Sequence, residues 1–476
     1  MLKIRQSKFK IYLYFCILVF FVLLGVVMYY SLGYKYDPNT GKTVQTGAIV
    51  LQTTLSDVSV EKNGEIVKQN GFLTNLFSNS VKIEGLDLGV YNIKVKKDGY
   101  YDWEKNIEVS ASQLQFSSIV LIKTSYESNN VFEEAVYTDN GLWKTRDGKM
   151  IAFLHKDADP AESGLFVVDI EAEERKLVAN EQKLALIGEI QSVEWSDGEK
   201  ELIVKALDGE TERYYLVDPE EENRIYLITN SVAEAVKSTE GEPFYVFEDF
   251  IIFLSQNSIY SFNYKDKQTR KITEGVTSFC KFQDSVYFFK TEESNRGLFS
   301  LNLNNLNYET KIAEMPDGYV KTEGFTTKKE SNRFILIADN SLYLIDRDAT
   351  VQKINSNVNE AHFFNNGKRI IYFNNHEIWL YYTEDKLSQP EKEKGDNELI
   401  NRFSADLNNV QIYQDEEHII YREGSALKFA ELDSRDKRNI FNLLKNETEL
   451  TFYSRSNNIL YFVEEGKLKE IDLVEE

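Results

Sequence analysis

The chain has 476 residues and carries 77 Asp and Glu against 55 Lys and Arg, a formal charge of -22. That excess repels phosphate backbones and argues against nucleic-acid binding. Aromatics at 13% with only six Pro exclude a disordered or proline-rich chain, and the length leaves room for two or three strand-built domains. Cys16 lies in an apolar N-terminal run and Cys280 far beyond it, with no CxxC pair. Neither an intrachain disulfide nor structural zinc is expected.

Residues 1–10 include Lys3, Arg5, Lys8 and Lys10, and an almost unbroken apolar stretch follows from Ile11 to Leu32. As a helix, residues 11–32 reach roughly 33 Å, enough to cross a bilayer's hydrocarbon core. The positive charges ahead of it place the N-terminus in the cytoplasm and the bulk of the chain outside. Tyr29, Tyr30, Tyr34 and Tyr36 then fall at the outer interface. A cleaved signal peptide is the alternative, with Ser31-Leu32-Gly33 as a weak cleavage site, but the run is too long and too rich in Phe and Tyr for one.

Residues 33–46 read as a short polar stalk with Pro38 and Gly41. Beyond it, Ile49 and Leu51, then Val58 and Val60, alternate as in half-buried strands ahead of an Asn63-Gly64 hairpin turn. "LDLGVYNIKVKKDGYYDW" (86–103) follows, its alternating Ile93 and Val95 bracketed by Gly89 and Asp98-Gly99, and reads as the penultimate strand of a small sandwich. The pattern Leu86, Gly89, Tyr91, Gly99, Tyr100 and Trp103 resembles the PEGA domain family, small β-sandwich modules on bacterial and archaeal envelope proteins. The resemblance covers 47–123, with "TLSD" (Thr54 to Asp57) where the family's Pro-Glu-Gly-Ala tetrapeptide would stand. It implies a structural role for these six residues, with Tyr100 and Trp103 packing in the core.

Past Lys123 one phrase keeps returning. "TRDGKMIAFLHKDADPAESGLFVVDI" (145–170) is a turn, a strand, a loop and a second strand, and seven further copies follow as far as "RSNNILYFVEEGKLKEIDL" (455–473). A period of about 40 residues with two or more strands per unit signals a β-propeller over 131–476. Polar turns at Asp147-Gly148, Asp197-Gly198 and Asn366-Gly367 reverse the chain into apolar strands. The copies resemble the WD-type and Tol-type propeller repeats. Eight copies favour eight blades, with a seven-bladed ring carrying one degenerate unit as the alternative. The fold class is therefore all-β behind one transmembrane helix.

Chemistry is sparse. His155, His362, His376 and His418 each fall in or beside a repeat phrase and read as structural or solvated. GxSxG, HExxH, Walker A, GxGxxG and EF-hand patterns are missing. Asp157 with Asp159, and Asp346 with Asp348, lack a calcium loop's spacing and read as solvated charges. The aspartates ending "VVD" and "LID" read as turn caps, and "SRDKRNIFNLLKNE" (434–447) as the best amphipathic helix, an insertion between blades.

No catalytic, metal or cofactor site is assigned, and the ligand-binding residues stay open. The expectation is a single-pass, extracytoplasmic binding or scaffold protein of the cell membrane, its propeller holding an envelope protein or a cell-wall polymer. The alternative is a propeller glycosidase or lyase acting on envelope polysaccharide, which two carboxylates in a central pocket with one raised pKa would favour. A sensor relaying through a partner is a third reading.

Overall fold

The computed structural model describes residues 2–473 apart from 32, 39–40, 68–79, 112, 136, 146–148, 156–162, 171, 173, 197–199, 210, 221–223, 229–243, 248–249, 264, 291–295, 307, 316–324, 445–450 and 456. Helix α1 spans Leu2–Ser31, and its window Tyr12–Tyr29 has a mean hydropathy of 2.5 with none of it buried. An apolar surface on every side suits lipid and not water.

Residues 33–46, expected as a short polar stalk, hold a hairpin of β1 (Tyr34–Asp37) and β2 (Lys42–Gln45). Tyr29 at the end of α1 stacks on Tyr34 with ring centroids 5.5 Å apart, and its hydroxyl donates to Thr43 Oγ1 at 3.1 Å. Thr46 closes the hairpin by donating its N–H to the Gly33 carbonyl at 2.7 Å. No free linker therefore separates α1 from the domain beyond the hairpin.

Two sheets then face each other. One pairs β3 (Gly47–Thr53) with β6 (Ser80–Leu86) on one side and with β9 (Leu114–Ile119) on the other, the latter in parallel. The second runs in the order β5-β4-β7-β8, from β4 (Ser59–Lys62), β5 (Glu65–Ile66), β7 (Gly89–Lys96) and β8 (Trp103–Val109). Their inward residues, among them Ile49, Leu51, Val60, Ile93, Val95, Trp103 and Ile107, make one buried core. Asn63 and Gly64 both take positive φ, which closes β4 onto β5 by a tight turn. The stretch 86–103 holds β7, which two further strands follow, so it is not penultimate.

The rest of the described chain is one short helix, α2 (Glu181–Ile187), and eight four-stranded antiparallel sheets over 137–180, 189–227, 244–274, 276–313, 325–356, 360–402, 407–442 and 451–472, the helix lying between the first and second of them. The first seven are meanders of consecutive strands. The eighth takes its outermost strand from far upstream: β10 (Asn129–Ala135) pairs with Lys467–Asp472. Neighbouring sheets share buried clusters all the way round, through Leu165 and Val204, Leu216 and Phe253, Ile252 and Phe288, and Phe289 and Leu336. Leu344 and Ile370, Leu380 and Ile419, and Phe429 and Leu460 continue the series. Tyr461 of the eighth sheet packs with Phe153 of the first, which completes the circle. Strand order and closure together are those of a β-propeller.

Residues 434–447 differ from expectation. Their described part is a loop followed by the strand Ile440–Asn442, the outermost of the seventh sheet, and not a helix. Its polar residues are spent on the sandwich. Lys105 of β8 is fully buried and meets Glu431 Oε1 at 2.7 Å and Asp433 Oδ2 at 3.5 Å. Trp103 Nε1 donates to Glu431 Oε2 at 3.0 Å, and the Asn439 N–H donates to Glu431 Oε1 at 2.8 Å. Arg435 pairs with Asp433 and donates to the Phe116 carbonyl at 2.6 Å. Desolvation would raise the Asp433 carboxyl, but Arg435 and Lys105 outweigh it and hold its pKa down.

Removing one partner of a buried pair strands the other charge. Lys105→Met is therefore expected to cost about 3 kcal/mol, and adding Glu431→Gln to recover part of that loss. Urea titration followed by tryptophan fluorescence measures both; losses that simply add would contradict the coupling.

Candidate binding site in the central channel

The first strand of each sheet is its innermost, because the last strands, such as Gln268–Glu274 and Val351–Ser356, are mostly exposed at the rim. Alternation along an inner strand sends every second side chain toward the axis or a neighbouring sheet. Glu360 and His362 stand two residues apart on Glu360–Phe364 and so share one face. Lys328 comes from the adjoining inner strand, Phe325–Glu330.

The three form a compact triad. His362 Nε2 lies 2.7 Å from Glu360 Oε1, and Lys328 Nζ lies 2.9 Å from His362 Nδ1 and 3.6 Å from Glu360. An ammonium can only donate, so Nδ1 accepts and Nε2 carries the proton toward Glu360, a tautomer assigned from these partners. The hydrogen bond from His362 leads in carrying the Glu360 pKa down to about 2 against desolvation, and the charges of His362 and Lys328 add to it. Desolvation in turn lowers Lys328, and Glu360 offsets part of that. A cavity of 270 Å³ opens beside the triad, lined by Thr327, Lys328, Ile335, Ile337, Asn359, Glu360 and Ala361.

Lys144 joins this field from the inner strand of the first sheet. Its pKa is lowered by desolvation and partly restored by the charge of Glu360. Its side chain is nevertheless open to water, and its ammonium sits 5.1 Å from the Phe452 ring centroid. Crowded yet wet is the condition of a side chain in a narrow channel. The first and sixth sheets are not neighbours in the ring. Among the described residues, two ammonium groups, Lys328 in contact and Lys144 through its charge, thus act on one ionised carboxylate in a strongly acidic protein.

A larger cavity of 400 Å³ lies between the second and third sheets. There Arg224 meets Asp218 at 3.6 Å, so part of its charge is answered from within, and the channel is the better candidate.

Glu330 stands two residues beyond Lys328. Its carboxyl pKa is raised, chiefly by desolvation, with Glu416 adding to the rise, while Glu416 is itself paired with Arg455 at 3.1 Å. Among the described residues it is the one carboxyl with a clear rise.

Of the remaining histidines, His155 is buried edge-on to Phe166, and His418 is buried with Nδ1 2.7 Å from Asp415. His376 is exposed in a loop. Asp346 is a partly buried pairing partner and not a solvated charge: it meets Arg333 and Lys394, each at 2.8 Å. Asp348 accepts from Thr350 instead. Asp157, Asp159 and the Asp147-Gly148 and Asp197-Gly198 turns lie outside the described residues, whereas Asn366 and Gly367 both take positive φ. Asp169, Asp218 and Asp346 each accept a backbone N–H just past their strand. Among the described residues no group of three or more His, Cys, Asp or Glu could hold a metal. Both cysteines are free, and burial pushes the Cys280 thiol up.

Leu86 and Trp103 are buried in the sandwich core, and Tyr91 and Tyr100 pack against it. Gly89 and Gly99 sit at positive φ, the former where β7 begins and the latter in the turn after it. Trp103 also does what its sequence did not announce, bonding to Glu431 of the propeller. The channel triad went unseen because its members lie on two inner strands, Phe325–Glu330 and Glu360–Phe364, that precede the repeat phrases; the only local hint is the Glu-x-His spacing at 360–362.

No family model matches the chain, and no curated protein matches it. Solved structures similar to it include the Dos1 propeller (12% identity, 74% of this chain and 95% of that chain, TM-score 0.44). The Cps50 (Swd1) β-propeller domain of Myceliophteria thermophila is another (10% identity, 74% and 100%, TM-score 0.39). Dipeptidyl peptidase 4 of Porphyromonas gingivalis is a third (10% identity, 71% and 56%, TM-score 0.41). At these scores the likeness adds no weight to the fold, which rests on strand order and ring closure.

The Glu360 pKa lies below its ordinary value near 4.3, so its ionised form stabilises the fold above that pH and the contribution drains away as pH falls toward 2. The carboxylate is half exposed, and solvent screening reduces the expected effect to about 1 kcal/mol. Urea midpoints taken between about pH 5, just above the ordinary carboxyl pKa, and about pH 2, near the lowered one, should fall more steeply for the native chain than for Glu360→Gln. Parallel curves would remove Glu360 from the network.

Proposed function

We propose that the chain is a single-pass protein of the cell membrane with a cytoplasmic N-terminus and an exported, non-catalytic binding or scaffold region in the cell envelope. Its parts are an anchor (11–32), a PEGA-like sandwich (47–123) and an eight-bladed propeller (131–476) that begins with β10. The four N-terminal cations and the apolar window Tyr12–Tyr29 of α1 support the anchor and its orientation. The eight sheets and the buried clusters joining them in a circle support the blade number.

The observation that carries the binding role is the charge arrangement around Glu360. Lys328 by contact and Lys144 through its charge act on Glu360 from non-adjacent sheets, two cations to one carboxylate among the described residues, which suits an acidic group on an envelope protein or wall polymer. The overall charge of -22 confines that attraction to the channel. A second reading, an enzyme acting on envelope polysaccharide, is favoured by the raised Glu330 carboxyl, which could serve as an acid.

The test presents the full chain in detergent to fractionated wall polymers and envelope proteins. Saturable retention is expected, weakened about tenfold or more by Lys144→Glu with Lys328→Glu, since each tenfold step needs only about 1.4 kcal/mol. Retention indifferent to those changes would remove the channel from the proposal. Oligosaccharide released by the native chain and not by Glu330→Gln would replace the binder with the enzyme.

A further inference from the structure

The sandwich leaves three large apolar side chains exposed at one end: Leu88 and Val90 where β7 begins, and Leu114 where β9 begins. Strand register shows that they share an end. Gly47 pairs with Leu86, Ala48 with Leu114, and Gly89 with Val109. This is the end at which the chain arrives from α1, held there by the bonds from Thr46 to Gly33. Chain steps of about 3.8 Å and strand spacings of about 4.8 Å keep all three within roughly 20 Å of Gly33.

We propose that this end of the sandwich is a lipid-contact surface, with Leu88, Val90 and Leu114 resting in the outer headgroup layer of the bilayer that α1 crosses. The proposal rests on the membrane-anchor reading and adds a second contact to it. The closed hairpin gives the sandwich no slack with which to stand off, and Tyr36, more than half exposed on that hairpin, supplies an aromatic side chain of the kind that favours the interface. Glu84, Asp87 and Glu108 are exposed at the same end. Their charge keeps the contact shallow and makes it apolar in origin, so anionic lipid should not strengthen it.

The experiment uses the full chain in phosphatidylcholine vesicles, with Cys16→Ala and Cys280→Ala as background and one environment-sensitive fluorophore at a time on Leu88→Cys, Leu114→Cys, Asp98→Cys or Phe20→Cys. Asp98 lies beyond the far end of β7, about 23 Å or more from Gly89 at strand rise. Labels at 88 and 114 should be quenched several-fold more than the label at 98 by a nitroxide lipid carrying its spin at the headgroup, with no increase when phosphatidylglycerol is added. The label at 20 should be quenched by a spin deep in the acyl chain. If 20 is quenched while 88 and 114 behave like 98, the lipid contact is overturned and the anchor stands. If 20 is not quenched, the anchor falls and the contact with it. Quenching at 88 and 114 that appears only with anionic lipid would overturn the apolar origin claimed for it.

Discussion

The contact between Lys105 and Glu431 fixes how the sandwich, and the helix and hairpin that lead into it, relate to the propeller. Burying an ammonium and a carboxylate costs several kcal/mol per ion, and only full hydrogen bonding offsets that. Glu431 meets the requirement: Lys105, Trp103 and both nitrogens of Asn439 lie around its two oxygens. A hydrophobic pair of the same size would bury as well, but it would tolerate sliding. An ion pair with four directional donors accepts one register, so the sandwich sits against the seventh sheet in one orientation.

The same loop solves a problem that any small sandwich has. β8 and β9 are both edge strands, and unpaired edge groups invite other chains. Asn439 bonds to the Glu104 carbonyl, Asp436 accepts the Asn106 N–H, and Arg435 caps the Phe116 carbonyl. Polar side chains from the propeller thus stand in for neighbouring strands. This explains why residues 434–444 are so polar without being a helix: their groups answer a partner, and their spacing follows that partner's edges, not a helical turn.

Much of the architecture was legible because it is local. Each repeat phrase, such as "ESNRFILIADNSLYLIDR", maps onto the two central strands of one sheet, where burial on both faces writes continuous apolar runs. Outer strands such as Gln268–Glu274 carry little apolar pattern, and β10 is separated from its sheet by the whole ring, so neither could be read as part of a unit. The apolar alternation of Ile93 and Val95 found β7 in the same way. Lys105 was the overlooked signal. It occupies an inward position between Trp103 and Ile107 on β8, where a charge is tolerable only if a partner is waiting. The channel site lacked even that much, since Lys144, Lys328 and Glu360 meet only after the ring closes.

Closure and anchoring bear on one another mechanically. The ring is shut by β10, which follows directly on the segment leaving β9, so any pull applied through α1 would otherwise reach the one strand whose loss opens the circle. Two devices stand between them. Val120 and Ile122 of that segment are buried in the cluster joining the seventh and eighth sheets, and Lys105 ties the sandwich to the seventh sheet independently of the connecting chain. Force arriving through α1 is therefore shared with a sheet held by four continuous strands before it can peel β10 away. A ring whose closing strand follows directly on the sandwich needs such a bypass, and here the buried Val120 and Ile122 and the Lys105–Glu431 pair supply it together.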